Sequence, residues 1–159
     1  MAHPEKFSKP QIVLHWLMFL LFLASFVSHD AVKASYRAFV REGVTDISVG
    51  TRVHVIVGIV LLALAVIRIV MRFTRPAPAE MGSGAQALLA KAVKLGLYVV
   101  MITIPLSGIV VWFGGIREAG EMHEVMFTLG LGLVGLHILG ALVHQFVFKD
   151  NLMARMKLR

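Results

Sequence analysis

Met122-His123-Glu124-Val-Met-Phe-Thr-Leu-Gly130-Leu-Gly-Leu-Val-Gly135-Leu-His137-Ile-Leu-Gly140-Ala-Leu-Val-His144 is an apolar run with one carboxylate near its start and three histidines inside it. An α-helix needs roughly 20 residues to cross a hydrocarbon core, and this run, extended to Phe148, is long enough. Three stretches of the same character precede it, near Ile12 to Ser28, Val53 to Met71 and Leu95 to Phe113, with the fourth at His123 to Phe148. None alternates strictly in period two, and lipid offers no partner to backbone N–H and C=O groups, so helices are the spanning form. The expected fold class is all-α, an integral membrane four-helix bundle forming one membrane domain over residues 1–159.

Composition points the same way. With 58% hydrophobic residues, 16% charge and a mean hydropathy of +0.81, the chain is too oily for a water-soluble domain or a disordered one. Sixteen Lys and Arg against nine Asp and Glu leave +7, a balance that raises nucleic acid as a partner until the charges are located. They lie between the apolar runs, so lipid is the expected partner and nucleic acid is not. Without cysteine the chain has no disulfide, iron–sulfur cluster, thiolate site or covalent haem attachment through Cys-x-x-Cys-His. A metal must rest mainly on the seven histidines.

Cytoplasmic segments near helix ends carry the excess of Lys and Arg. Eleven of the sixteen fall on the side that holds both termini and five on the other, while three of the nine acids fall on the terminal side. Both termini are therefore expected in the cytoplasm, with Trp16 and Trp112 at the two interfaces. The first run follows Lys6 and Lys9 as a signal peptide would, but its apolar core of about 17 residues exceeds the usual 7 to 15, so it is read as retained. Arg75 to Gly84, with its prolines and glycines, reads as the inner connection. Pro105, followed by Ser107 and Gly108, predicts a kink in the third helix, its freed carbonyl satisfied by neighbours.

Fourteen residues turn a helix by about 1400°, some 40° short of four full turns, and raise it about 21 Å. His123 and His137 thus share one face at two depths. His54 lies level with His123, and His15 lies in the inner half with His137, although depth counting suits His144 about as well. Four histidines at two levels make two axial pairs, the donor set of six-coordinate haem b bound without covalent attachment. Gly58 and Gly130 fall on the ligand faces, where a porphyrin needs room. Arg68, 14 residues after His54, needs an anion in the inner half, either a haem propionate paired bidentately or inner lipid phosphates reached by snorkelling. A lone histidine in an apolar helix is more often a hydrogen-bonded core residue. His3 and His29 read as terminal or loop residues, although His29 repeats the 14-residue spacing from His15 and competes as an outer ligand. Spacing alone leaves the assignment open.

The chain resembles the bacterial cytochrome b561 family over nearly its whole length. The resemblance rests on Gln11-Ile-Val-Leu-His15-Trp-Leu17, Val53-His54-Val-Ile-Val-Gly58, Arg68-Ile-Val-Met-Arg72 and Ile104-Pro-Leu-Ser-Gly108. Met122-His-Glu124, Gly135-Leu-His-Ile138 and His144-Gln-Phe-Val-Phe-Lys-Asp-Asn151 complete it. It implies four transmembrane helices in the bacterial inner membrane and two non-covalent haem b groups, with His15 and His137 at the inner haem and His54 and His123 at the outer one. By the same comparison His144 matches a recurrent non-ligand histidine and His29 matches no ligand position. The second outer connection, Gly114 to Met122, is shorter than in the best known members.

The resemblance also implies transmembrane electron transfer between an extracytoplasmic donor and membrane quinone, the donor being superoxide in some relatives. Arg52, Lys33, Arg37 and Arg41 are positive groups that attract such an anion. Two other functions compete. One is a haem-bearing subunit that links quinone to a separate redox partner, marked by a partner that copurifies. The other is a haem-free metal-binding bundle, marked by the lack of a b-type spectrum.

Overall fold

The structure is a computed structural model and describes residues 6–43, 47–75, 77–79, 82 and 84–158. Four long helices fill it: α1 Lys9–Glu42, α2 Val49–Thr74, α3 Ala85–Gly114 and α4 Glu118–Phe146. A 3-10 turn, Leu152–Met156, follows. Each of the four is long and apolar enough to cross a membrane, and no strand occurs among the described residues.

Local chemistry sets the ends. Before α1, the Ser8 backbone N–H and hydroxyl both donate to Gln11 Oε1, at 3.0 and 2.9 Å, and Pro10 lies in the first turn. Gly43, with φ of 68°, closes the helix in the left-handed region and donates to the Phe39 carbonyl. Ser48 caps α2 by accepting the Thr51 N–H at 3.2 Å. Gly115, with φ of 67°, ends α3.

Two helices run well past the apolar stretches that announce them. α1 continues beyond Ser28 to Glu42, because Asp30 to Glu42 is rich in Ala, Lys and Arg, which favour helix without being apolar. Its 34 residues span about 51 Å, against a hydrocarbon core of about 30 Å. His29 is consequently a helical residue and not a loop residue. α3 starts at Ala85, ten residues before Leu95, and takes Lys91 and Lys94 into its first turns. It continues through Pro105 to Gly114. α4 stops at Phe146, short of Phe148, where the Val147 and Phe148 N–H groups both turn back to the Val143 carbonyl. Within the connection expected from Arg75 to Gly84, Pro76, Glu80, Met81 and Ser83 lie outside the described residues, as does His3.

Sequence neighbours pack as spatial neighbours, α1 on α2, α2 on α3 and α3 on α4. Small residues set the closest approaches: a Cβ on Gly50 would lie 2.7 Å from Ala31 Cβ, and one on Gly96 3.0 Å from Leu133 Cδ1. Beside Gly50, the fully buried Thr51 gives its hydroxyl to the Ala31 carbonyl at 3.1 Å and lies 2.8 Å from Ser35 Oγ. Leu14, Met18 and Ala65 form the buried core, while large apolar side chains such as Val27, Phe73 and Leu88 face outward. A helix bundle apolar on its outside suits lipid as solvent.

The first and last described segments, at Phe7 and Leu152–Met156, lie at one end of the bundle, where the C-terminal turn laces three segments together. Phe7 N–H donates to the Arg155 carbonyl at 3.3 Å, Trp16 Nε1–H to the Met156 carbonyl at 3.3 Å, and Arg155 Nη1 to the Ala79 carbonyl at 2.7 Å.

Gly50→Val forces α1 and α2 apart and should cost about 1–3 kcal/mol, read as a lower thermal midpoint in detergent. Gly132→Ala, where a Cβ meets nothing within 4 Å, should leave the midpoint within about a degree or raise it.

Candidate functional site

At the end opposite the C-terminal turn, α2 and α4 bring His54 and His123 across from each other, their ring centroids 6.2 Å apart and their planes at 65°, an edge-on arrangement. Each ring is held from behind by the neighbouring helix in the same manner. His54 Nδ1 lies 3.0 Å from the Ser25 carbonyl and 3.3 Å from Ser28 Oγ, both on α1. His123 Nδ1 lies 2.8 Å from the Ile104 carbonyl and 3.3 Å from Ser107 Oγ, both on α3. A carbonyl only accepts, so it fixes each imidazole as the Nδ1–H tautomer and leaves Nε2 with a free lone pair. A hydrogen bond of this kind behind a metal-binding imidazole orients the ring and raises its basicity.

Gly108 makes the second arrangement possible. A Cβ at that position would lie 3.1 Å from His123 Cε1 and 3.2 Å from Nδ1, so the ring lies against α3 only because none is there. Ser28, Ser107 and Gly108 are site residues that sequence reasoning missed. Their signal was faint: small polar residues within apolar runs, which equally serve helix packing.

A third imidazole joins this end. His29 on α1 lies 5.8 Å from the His54 ring and stacks on Phe127 at 4.7 Å and 20°. One ligand nitrogen from each of His29, His54 and His123 lies within 4.8 Å of the others. Above them Lys33 Nζ pairs with Glu124 Oε1 at 3.1 Å, joining α1 to α4.

Toward the terminal end, His15 on α1 faces His137 on α4 with nearly the same geometry, centroids 6.0 Å apart and planes at 64°. Trp16 packs edge-on against His15 at 5.4 Å. The half-buried Arg68 is near enough to act electrostatically on both histidines, and Lys94 acts on His137. His144 takes no part in this pair. Its Nδ1 lies 2.5 Å from Asp150 Oδ2, and Asp150 Oδ1 accepts the Leu152 N–H, so it fastens the end of α4 to the C-terminal turn.

The facing pairs fit haem b. A metal–imidazole bond of about 2.0 Å, plus roughly 1.1 Å from ring nitrogen to ring centre, puts two imidazoles on opposite sides of one metal about 6 Å apart. Both pairs have that separation. Side chains span the seam between α1 and α4 at several levels, as in His15–His137 and Phe26–Phe127, although the two backbones are not closely packed. A Cβ on Gly58 would meet nothing within 4 Å, and Gly58 lines the cavity beside His54 and His123. Gly130 is different. Its Cβ would lie 3.0 Å from Ile104 Cδ1, so it serves the packing of α4 on α3 and not the ligand face.

Known proteins resemble the chain from end to end. A family model described as prokaryotic cytochrome b561 matches residues 6–158. The chain is 32% identical to a cytochrome b562 of Cereibacter sphaeroides, over 98% of each protein. It is 26% identical to a probable superoxide oxidase CybB of Yersinia pestis, over 96% of each, and 27% identical to cytochrome b561 homolog 1 of Escherichia coli, over 96% of this chain and 97% of that one.

Gly108→Val should displace His123 from α3 and break its bond to the Ile104 carbonyl. The expected result is a clear loss of bound haem with helix content unchanged, measured by haem extraction and circular dichroism on the same sample.

Proposed function

Because the chain belongs to the prokaryotic cytochrome b561 family, and is thus a multi-pass bacterial membrane haem cytochrome of electron transfer, we propose that it carries electrons across the inner membrane between an extracytoplasmic donor and quinone. Two haem b groups serve this path, the outer between His54 and His123 and the inner between His15 and His137. The supporting observation is the repeat of one facing-imidazole geometry at two levels, separated by 14 residues of α4 and so by about 21 Å. When bound, haem b takes up and gives back single electrons, which lipid and saturated side chains do not carry.

The chain's own residues do the rest. With a haem seated at each level, the two facing imidazoles there would hold its iron, which favours electron exchange over oxygen chemistry. Ser25 and Ile104 carbonyls hold the outer rings in the tautomer that keeps Nε2 basic. Arg68 supplies a fixed cation beside the inner pair, suited to a haem propionate. Lys33, Arg37, Arg41 and Arg52 are the positive groups proposed to meet an anionic donor, on a side that also carries six acids and where Lys33 pairs with Glu124, and superoxide is the donor proposed here on the likeness to the Yersinia pestis relative.

Purified wild-type chain is expected to hold two haems, and His137→Ala and His123→Ala one each, by pyridine haemochrome assay against protein mass. Two low-spin haems in either variant would remove that histidine from the ligand set. Stopped-flow mixing with superoxide should reduce the haem and, with excess quinone, yield quinol in steady state. A fully loaded protein that stays oxidised in superoxide refutes the donor assignment alone. Arg68→Leu should lower the midpoint potential of one haem and leave the other in place, because a nearby cation disfavours the oxidised state, which carries one more positive charge. An unchanged titration removes Arg68 from that role.

A further inference from the structure

We propose that His29 is an exchangeable axial ligand of the outer site, competent to replace His54 opposite His123; the inference rests on the two-haem reading above. A haem iron has two axial positions, and the far end of the bundle offers three imidazoles. Two trans imidazole nitrogens on one metal are separated by about 4 Å, twice a bond of about 2.0 Å. One nitrogen from each of His29, His54 and His123 lies within 4.8 Å of the others, close to that separation, so His29 already stands at ligand range of the same centre.

The three rings are not held alike. His54 and His123 each have a carbonyl and a serine hydroxyl at Nδ1. His29 Nδ1 is buried and has no hydrogen-bond partner among the described residues. A buried polar atom left without a partner is costly, and this one is free to be used by a ligand. No hydrogen bond among the described residues ties the ring, and Phe127 only fixes its plane by stacking. His29 and His54 also come from the directly packed helices α1 and α2, whereas His123 reaches in from α4. An imidazole 5.8 Å from His54, carried on the helix packed against α2, is the one proposed to take the place of His54.

The test uses the full-length chain purified in detergent, read by haem content and by low-temperature electron paramagnetic resonance. His54→Gln keeps an amide donor for the Ser25 carbonyl but removes the imidazole. It is expected to retain two low-spin haems per chain, one with altered g-values, and His29→Leu combined with His54→Gln to retain one. A His54→Gln chain with one haem, or with a high-spin second haem, overturns the exchange. Two low-spin haems in the double variant overturn it as well, and show that neither residue is a ligand. His123→Gln reports separately on the underlying reading: one haem leaves that reading standing whatever His29 does, and two low-spin haems refute it. If His54→Gln fails to accumulate, His54→Ala is produced with imidazole in the medium and then dialysed. Two low-spin haems after dialysis support the exchange, and a fall to one or a high-spin signal overturns it.

Discussion

A carbonyl inside a helix already accepts one N–H, but it has a second lone pair, and at the far end of this bundle that spare capacity carries the site. His54 and His123 each spend their Nδ1–H on such a carbonyl, Ser25 on α1 and Ile104 on α3. In lipid no water would satisfy that donor. The bond therefore settles at once where the ring sits, which tautomer it adopts and which nitrogen remains basic. Ser28 and Ser107 reinforce it from equivalent positions, three residues beyond each carbonyl. The two halves of the bundle thus solve one problem twice, although the sequences around Ser25 and Ile104 are unlike.

The surrounding packing follows from the need to hold these rings apart and yet facing. Close contact is confined to neighbours in sequence, with glycines at the tightest points, Gly50 against Ala31 and Gly96 against Leu133. Between α1 and α4 the helices meet through side chains: the His15–His137 pair, the Phe26–Phe127 stack and the Lys33–Glu124 ion pair. A seam bridged in this way admits a flat group where two interlocked backbones would not.

The four spans and the two histidine levels were legible because each rests on a pattern that depends only on helix geometry. An apolar run long enough for a bilayer has few other readings, and a 14-residue interval returns a side chain to its own face. What was illegible depends on a partner from another segment. Nothing near Gly108 reveals that an imidazole from α4 will lie on it, and Gly130, which looks like room for a cofactor, receives Ile104 instead. The outer third of α1 escaped because hydropathy measures a wish for lipid and not for helix. Asp30 to Glu42 has the second without the first, so the place of His29 stayed open between a loop residue and an outer ligand on the first helix.

The end where the first and last described segments meet is joined by bonds of extreme span: Trp16 reaches the Met156 carbonyl, 140 positions away in sequence, and Arg155 reaches the Ala79 carbonyl, 76 positions away. Trp16 also packs edge-on against His15, so this clasp is tied directly to the His15–His137 pair. Loosening it would be felt at that pair, and a group seated there is held partly by the segment that follows the fourth helix.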